Sequence, residues 1–318
     1  TWNLGINFDR VTQEVTKLDV PSYNTGPGFQ QSTLFLIEEG VSFGTMTGEV
    51  FATSLDQLQG QINSGSPAQV DGEVGQPIDP SLYSINALGF VVLTSSMGQA
   101  GEVPYKLRDE NGSPIVQKIG DINPDFRMGF ANTFGYKGFS LYTLFDWKKG
   151  GDVYNLSKQW MMRDARHGDV ARFNGVDANG NPDGSLAIAE SFYGSDGLYN
   201  VLVSHSGFAE DAGFFMLREA NLSYNLPKTF LSGFLGGFIK EAKISFIGRN
   251  LFTITDYSGF HPDVSGAPVD ENRLTNRFAT NAAGSNDTNP SGDPSVFAVD
   301  NFAYPVARTF SGSVQITF

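Results

Sequence analysis

Cysteine is absent from the 318 residues, and histidine occurs only three times. The first absence removes disulfide scaffolds, thiolate metal sites and cysteine nucleophiles. The histidines, His167, His205 and His261, are scattered without metal-ligand spacing. Basic residues are also scarce: 21 Lys and Arg stand against 34 Asp and Glu, a formal charge of −13. That balance opposes binding to a phosphate backbone, and no basic stripe offsets it, so no nucleic-acid partner is expected. Charged residues make up only 17%, below the roughly 25% usual in soluble domains. No apolar run approaches the ~20 residues that a membrane-spanning helix needs. A spanning β-barrel escapes this exclusion, because alternate residues face lipid and lumen and average hydropathy stays modest. The mean hydropathy of −0.19 fits that pattern. What the chain has in quantity is glycine (37) and phenylalanine (27), a composition for turns and apolar strands.

The chain opens at Thr1-Trp2-Asn3 with no basic or apolar leader pattern. Trp2, Leu4, Ile6 and Phe8 alternate at once with Asn3, Gly5 and Asn7. A start in mid-strand is expected of the rear part of a longer protein. At the other end, Phe310, Gly312, Val314, Ile316 and Phe318 share one face, and Ser311, Ser313, Gln315 and Thr317 share the other. A half-buried strand of a soluble sandwich gives the same alternation. One wholly apolar face against one wholly small-polar face favours a lipid-out, polar-in barrel strand. A final phenylalanine after such a strand resembles the insertion signal of bacterial outer-membrane barrels. Phe310, Val314, Ile316 and Phe318 are therefore expected to face the membrane.

Similar alternation predicts seven strands, near 2–15, 29–40, 125–135, 138–146, 214–225, 241–252 and 308–318. In the third, Phe126, Met128, Phe130 and Phe134 share a face; in the fourth, Phe139, Leu141 and Phe145 do. In the fifth, Met216, Ala220, Leu222 and Tyr224 are expected opposite Glu219, Asn221 and Ser223. Gly135-Tyr136-Lys137-Gly138 reads as a tight hairpin link. Connectors after the second, fourth and sixth strands are long (41–124, 147–213 and 253–307) and the others comparatively short. Short turns on one side and long loops on the other is the layout of outer-membrane barrels. Structureless connections of this length count against a soluble sandwich. Seven strands cannot close, since the smallest such barrels have about eight, so more polypeptide must complete the wall. Parity places the C-terminus on the short-turn side, the periplasm.

Within the long connectors, 155–167 has helix-favouring composition with Asn155 as a cap. Asp109-Glu110-Asn111-Gly112 suits a type I′ hairpin turn. Residues 253–307 read as exposed irregular chain rich in Asp, Asn, Gly, Pro and Ser.

Several blocks stand out along the chain: Gly120-Asp121-Ile122-Asn123-Pro124-Asp125-Phe126, Asn132-Thr133-Phe134-Gly135-Tyr136-Lys137-Gly138-Phe139, and Phe145-Asp146-Trp147 through Asn155. Asp211 through Pro227, Gly248-Arg249-Asn250-Leu251-Phe252 through Asp263, and Tyr304 through Phe310 follow. Together, and in this order, they resemble the barrel of SusC/RagA-like TonB-dependent outer-membrane transporters. The resemblance covers about 120–318, with a weaker match from Trp2 to Phe51. It implies an all-β fold: a transmembrane antiparallel barrel of which these are about seven C-terminal strands out of roughly 22, with long extracellular loops. Residues 1–318 would be the C-terminal part of the barrel, with the N-terminal plug and early strands outside the chain. It further implies the outer membrane of a Gram-negative bacterium of the Bacteroidota kind and import of glycans, peptides or similar nutrients. TonB would supply the energy through the missing N-terminal part, a SusD-like surface lipoprotein would form the lid, and outer-membrane lipid would surround the wall. One departure from the family is that Arg108 through Pro114 lacks a second aspartate–glycine step, which weakens any calcium site there.

No cofactor is expected. Asp177, Asn179, Asn181 and Asp183 space oxygens like a calcium loop, but Ile188 stands where the acidic twelfth ligand belongs. Ser204-His205-Ser206 invites a nucleophile, yet no elbow motif or positioned base accompanies it, so no enzyme is expected. For ligand contact the plausible carriers are the loop aromatics Trp147, Tyr154, Trp160, Phe192, Tyr193 and Tyr199. Arg163 or Asp164 would act as an orienting polar neighbour. The competing reading is that these residues pack the loops together or touch the lid. Two further functions stay open: a transporter-like barrel serving as a scaffold in a larger outer-membrane assembly, and a soluble glycan-binding β-sandwich.

Overall fold

The computed structural model describes residues 1–26, 33–69, 71–98, 102–164, 166–168, 197, 200–235, 238–263, 298–303 and 306–318. The chain begins with β1 (Trp2–Asp9) and continues into short strands β2 (Tyr23–Thr25), β3 (Phe35–Ile37), β4 (Thr45–Glu49), β5 (Tyr83–Ile85), β6 (Val91–Leu93) and β7 (Val116–Asp121). Long strands β8 (Phe126–Tyr136) and β9 (Phe139–Lys149) follow, then β10 (Asp152–Tyr154) and helix α1 (Leu156–Arg163). The remaining elements are β11 (Ala209–Asp211), β12 (Phe214–Asn225), helix α2 (Lys228–Leu235), β13 (Glu241–Ile254) and β14 (Thr309–Thr317).

Six strands form one antiparallel sheet in the order β1-β8-β9-β12-β13-β14. Its register makes the alternation of the sequence continuous across strands. One rung runs Trp2–Phe134–Leu141–Leu222–Phe246–Gly312, on an apolar face. On the opposite face a rung reads Gly135–Ser140–Ser223–Ser245–Ser313. Directly opposed residues of an antiparallel pair lie on the same face, so one surface is built from aromatic and branched side chains and the other from small and polar ones. The apolar surface, called outward below, is bare: Trp2, Phe246, Phe310 and Val314 are each more than half exposed. Phe310, Val314, Ile316 and Phe318 all stand on this side or continue it.

The hairpin β8–β9 closes through Lys137-Gly138, both at positive φ (46° and 87°). That is the type I′ geometry whose twist matches the flanking strands.

In β12 the register slips between Leu217 and Glu219: against β9 Arg218 is an extra residue, whereas against β13 the extra residue lies in β13, between Arg249 and Phe252. An extra residue shifts the alternation by one. Met216, expected to share a face with Ala220, Leu222 and Tyr224, therefore turns inward with Phe214, and both are buried. Phe215 and Leu217 take the outward places, Phe215 stacking on Phe145 at 5.5 Å.

The strand expected near 29–40 corrects differently. Its core, β3, belongs to a separate four-stranded sheet ordered β2-β3-β4-β7, so the main sheet has six strands among the described residues rather than seven. Leu34 and Phe35 are wholly buried, and an apolar run buried on both sides cannot be told by pattern from a membrane strand. The first strand ends at Asp9 instead of 15, because Val15 exchanges backbone hydrogen bonds with Gly40 and Val41. Long connections thus follow the first, third and fifth strands of the main sheet: 10–125, 150–213 and 255–308. Long and short connections still alternate.

These long connections are not structureless. Together they build a cap at one end of the sheet. One buried cluster draws Leu34, Phe35, Met46 and Phe51 from the first connection, Tyr154, Leu156 and Phe208 from the second, and Val299 from the third. Val299 and Asp300 are buried, although 253–307 reads from sequence as exposed chain. A second cluster, within the first connection, packs Leu58, Tyr83, Val91, Tyr105 and their neighbours. The turn at Asp109–Gly112 forms where expected, but φ is positive only at Gly112 (79°), so it is not type I′. Asp109 Oδ1 accepts from Asn111 N and Ser113 N at 2.9 Å and holds it. Helix α1 starts at its expected cap, the Asn155 side chain accepting from Lys158 N at 2.9 Å.

Candidate functional site

At the cap end of the main sheet the inward face carries an ion network on three adjacent strands. Arg127 of β8 binds Asp146 of β9 in a fork, Nε to Oδ1 at 3.1 Å and Nη2 to Oδ2 at 2.8 Å. Arg218, the bulge residue of β12, donates Nε to the same Asp146 Oδ2 at 3.0 Å. Both guanidiniums also reach Asp263, which follows β13, at 3.3 and 2.7 Å. The Phe214 ring lies 5.6 and 5.4 Å below them. The bulge is what brings Arg218 here: without the extra residue its side chain would take the outward parity. Further along the same face Arg249 pairs with Glu219 at 3.0 Å. Planar guanidiniums bound bidentately hold geometry well, so the network fixes the chain after β13 against the wall of the sheet.

Above it, the cap is stitched by buried polar groups. Lys158 Nζ donates to Glu210 Oε1 at 3.0 Å, and Ser258 N and Oγ donate to the same carboxylate at 2.9 and 2.8 Å. Burial alone pushes the Glu210 carboxyl up, but these hydrogen bonds and the Lys158 charge hold it below its ordinary value. Tyr257 donates to Asp300 Oδ2 and Ser157 to Asp300 Oδ1, at 2.7 and 2.8 Å. Lys106 and Glu49 form a buried pair at 2.6 Å. His205 sits beside them, fully buried against Phe51 at 5.3 Å. Burial, helped by the Lys106 charge, drops its pKa to about 3, which keeps it neutral at physiological pH. Ser204 and His205 are thus interior packing residues of the cap.

The residues singled out for ligand contact scatter. Trp147 lies within β9, not in a loop, and its outward-facing ring meets Phe126 edge-on at 4.9 Å. Tyr154 is wholly buried, its hydroxyl donating to Gln159 at 2.8 Å and accepting from His205 N at 3.1 Å. Trp160 and Arg163 come together on α1, the guanidinium 3.9 Å from the ring centre, and Arg163 pairs with Asp164. Phe192, Tyr193 and Tyr199, and the calcium candidate Asp177, Asn179, Asn181 and Asp183, lie outside the described residues. Among the described residues no group of three or more His, Asp or Glu is placed to hold a metal ion. The network of Arg127, Asp146, Arg218 and Asp263 was missed. Its members stand in four different segments, and only the register and the bulge bring them together.

No family model matches the chain. Over its whole length it is 26% identical to TonB-dependent receptor P3 of Formosa agariphila, of which it covers 27%. To TonB-dependent receptor P39 of the same organism it is 24% identical over 83% of the chain and 26% of that protein. The chain is thus similar, over most or all of its length, to TonB-dependent receptors. It spans about a quarter of the length of these relatives. All of it also superposes on 27% of a chain in the structure of the RagAB peptide transporter (TM-score 0.52, 18% identity). The RagAB peptide importer in its open-open state gives a TM-score of 0.52 at 17% identity. At that identity the likeness is one of fold, and it agrees with the SusC/RagA-like resemblance of the sequence blocks.

Proposed function

We propose that this chain is the C-terminal portion of the barrel wall of an outer-membrane transporter that imports nutrients with energy delivered by TonB. The observation that carries the reading is the bare outward face of the main sheet, apolar across six strands and uncovered by any other described layer. In water such a surface is a liability; in a bilayer it is the required one. β8 and β9, of 11 residues each, have the length of a tilted spanning strand, about 9–11 residues. The long connections and their cap would then face outward from the cell, and the short turns and the C-terminus would face the periplasm.

On this reading the plug, the remaining strands and the TonB-contacting segment come from other parts of the protein. A SusD-like surface lipoprotein would close over the cap. The inward ion network would hold the chain after β13 against the wall above the transport path. The half-buried Trp160–Arg163 pair, whose ring packs partly against the cap cluster, is the part of the cap best suited to touch cargo or lid, an aromatic face with a cation beside it. Glycans and peptides both suit such a pair.

The test is the intact mass of the parent protein purified from outer membranes in detergent, with its co-purifying chains identified. A parent several times the 34.5 kDa of this chain, bound to a surface lipoprotein, is expected. A 34.5 kDa species that stays in solution without detergent overturns the reading.

A further inference from the structure

The connection between β12 and β13, residues 226–240, differs from the two-residue turn between β8 and β9 at the same end of the sheet. It carries the eight-residue helix α2 and two strongly exposed aromatic residues, Phe230 (55%) and Phe238 (72%). Leu231, one position from Phe230, is buried, so the connection is seated on the protein while still presenting phenylalanine outward. Phe238 is not randomly placed. Its ring lies 5.2 Å from that of Phe318, the continuation of the outward stripe Phe310, Val314 and Ile316. Lys240 Nζ donates to the Phe318 carbonyl oxygen at 3.1 Å, and Lys240 N donates to Thr317 O at 2.8 Å, which fixes this corner. The connection therefore extends the apolar outward face beyond the last rung of the sheet. Around it stand Tyr136, Phe139 and Tyr224, aromatic residues at the same end of the outward face. Lys137, Lys228 and Lys240, in the connections at this end of the sheet, are all exposed.

We propose that helix α2 (Lys228–Leu235) together with the segment from Phe238 to Lys240 forms an interfacial foot that binds the phospholipid leaflet on the short-connection side, with Phe230 and Phe238 seated in it and Lys228 and Lys240 at phosphate level. The inference rests on the barrel reading above and adds to it. An aromatic and lysine-flanked helix lies in the headgroup and acyl boundary, about 5–10 Å deep, rather than across the bilayer. Lysine stems reach along apolar surface while the charge stays with water and phosphate. The other candidate occupant of such a surface is a protein partner. Continuity with the outward stripe, through Phe238 and Phe318, argues for lipid.

The chain contributes no cysteine, so single nitroxide labels can be placed in the full-length protein once any cysteine outside these 318 residues has been replaced. Phe230→Cys, Phe238→Cys, Val314→Cys and Asp109→Cys are labelled and reconstituted in phosphatidylethanolamine–phosphatidylglycerol vesicles. Collision with oxygen and with a water-soluble nickel chelate is then measured. Val314 is expected to be dominated by oxygen and Asp109 by nickel, each several-fold. Positions 230 and 238 are expected between them, at the depth of the headgroup boundary. If 230 and 238 match Asp109 while Val314 stays oxygen-dominated, the foot is wrong and the barrel stands. If they are shielded from both reagents, a protein covers them and the lipid assignment is overturned. If Val314 itself is dominated by nickel, the barrel reading fails and the foot with it.

Discussion

The main sheet and the cap use the same residue types in opposite directions. In the sheet, Trp2, Phe246, Phe310 and Val314 point away from the protein and are more than half exposed. In the cap, Leu34, Phe35, Tyr105 and Tyr154 are wholly buried. The cap behaves as a small water-soluble domain, closing apolar side chains around two clusters. The sheet has no second layer over its outward face among the described residues, so its long strands are held by ladder hydrogen bonds and cross-strand pairs. Hydrophobicity thus locates an interface with something apolar, and whether that partner is the protein's own interior or a bilayer depends on what the fold leaves uncovered.

The sharpest way to separate the two regions is to damage each alone. Phe35→Ala removes a fully buried ring and is expected to cost about 3–5 kcal/mol. The loss should appear as faster proteolysis within 41–124, with the main sheet still protected in detergent. Val314→Arg is expected to cost ~2–4 kcal/mol in lipid near the bilayer midplane, whereas Ser313→Arg, on the polar face, should be tolerated far better. Equal loss of refolding yield from both variants would break the assignment of faces.

Gly48→Ala probes the seam between two cap connections. A Cβ there would sit 2.7 Å from the Ser204 carbonyl oxygen and 2.8 Å from Ile119 Cδ1. Overpacking of this kind costs about 1–3 kcal/mol, to be read as a lowered unfolding temperature of the cap. Asn155→Ala removes the α1 cap and should cost about 1 kcal/mol, and Asn155→Asp should not restore the stability, because it keeps the acceptor but sets a second carboxylate where the Asn155 amide now donates to Glu210 at 3.3 Å.

The mildest test is acidification. Glu210 is held below its ordinary value in the folded cap. Its contribution is therefore complete at neutral pH and is lost as pH falls through and below the normal carboxylate range. Proteolytic release of the second and third connections should rise at acid pH in the native protein. In Glu210→Gln that rise should be smaller, from a weaker starting point.

Much of the main sheet was legible in the sequence. Phe126–Tyr136, Phe139–Lys149, Phe214–Asn225, Glu241–Ile254 and Thr309–Thr317 stand close to the segments where alternation had placed them. A strand of nine or more residues repeats its period several times, and an outward face with a single solvent keeps that period clean. The cap was not legible. Its strands run three to six residues, too short to establish a period, and its core residues are gathered from three separated connections. Of the candidate ligand contacts, Tyr154 turned out to be a core residue, because sequence reveals that a residue is aromatic and near a turn but not which side of a loop is covered.

The amino-acid sequence by itself determined the long strands of the main sheet, the Lys137-Gly138 turn, the Asn155 cap and the resemblance carried by the ordered blocks, since each depends on neighbours a few residues apart. Only the tertiary structure decided the rest. The bulge at Arg218 turned Met216 inward and brought a second arginine, beside Arg127, onto Asp146 and Asp263. Chain crossings buried Val299 against Phe35 and Tyr154 in one cluster. Register set Phe238 beside Phe318. These outcomes rest on contacts between residues tens to hundreds of positions apart, where a shift of one residue in pairing moves a side chain to the opposite face.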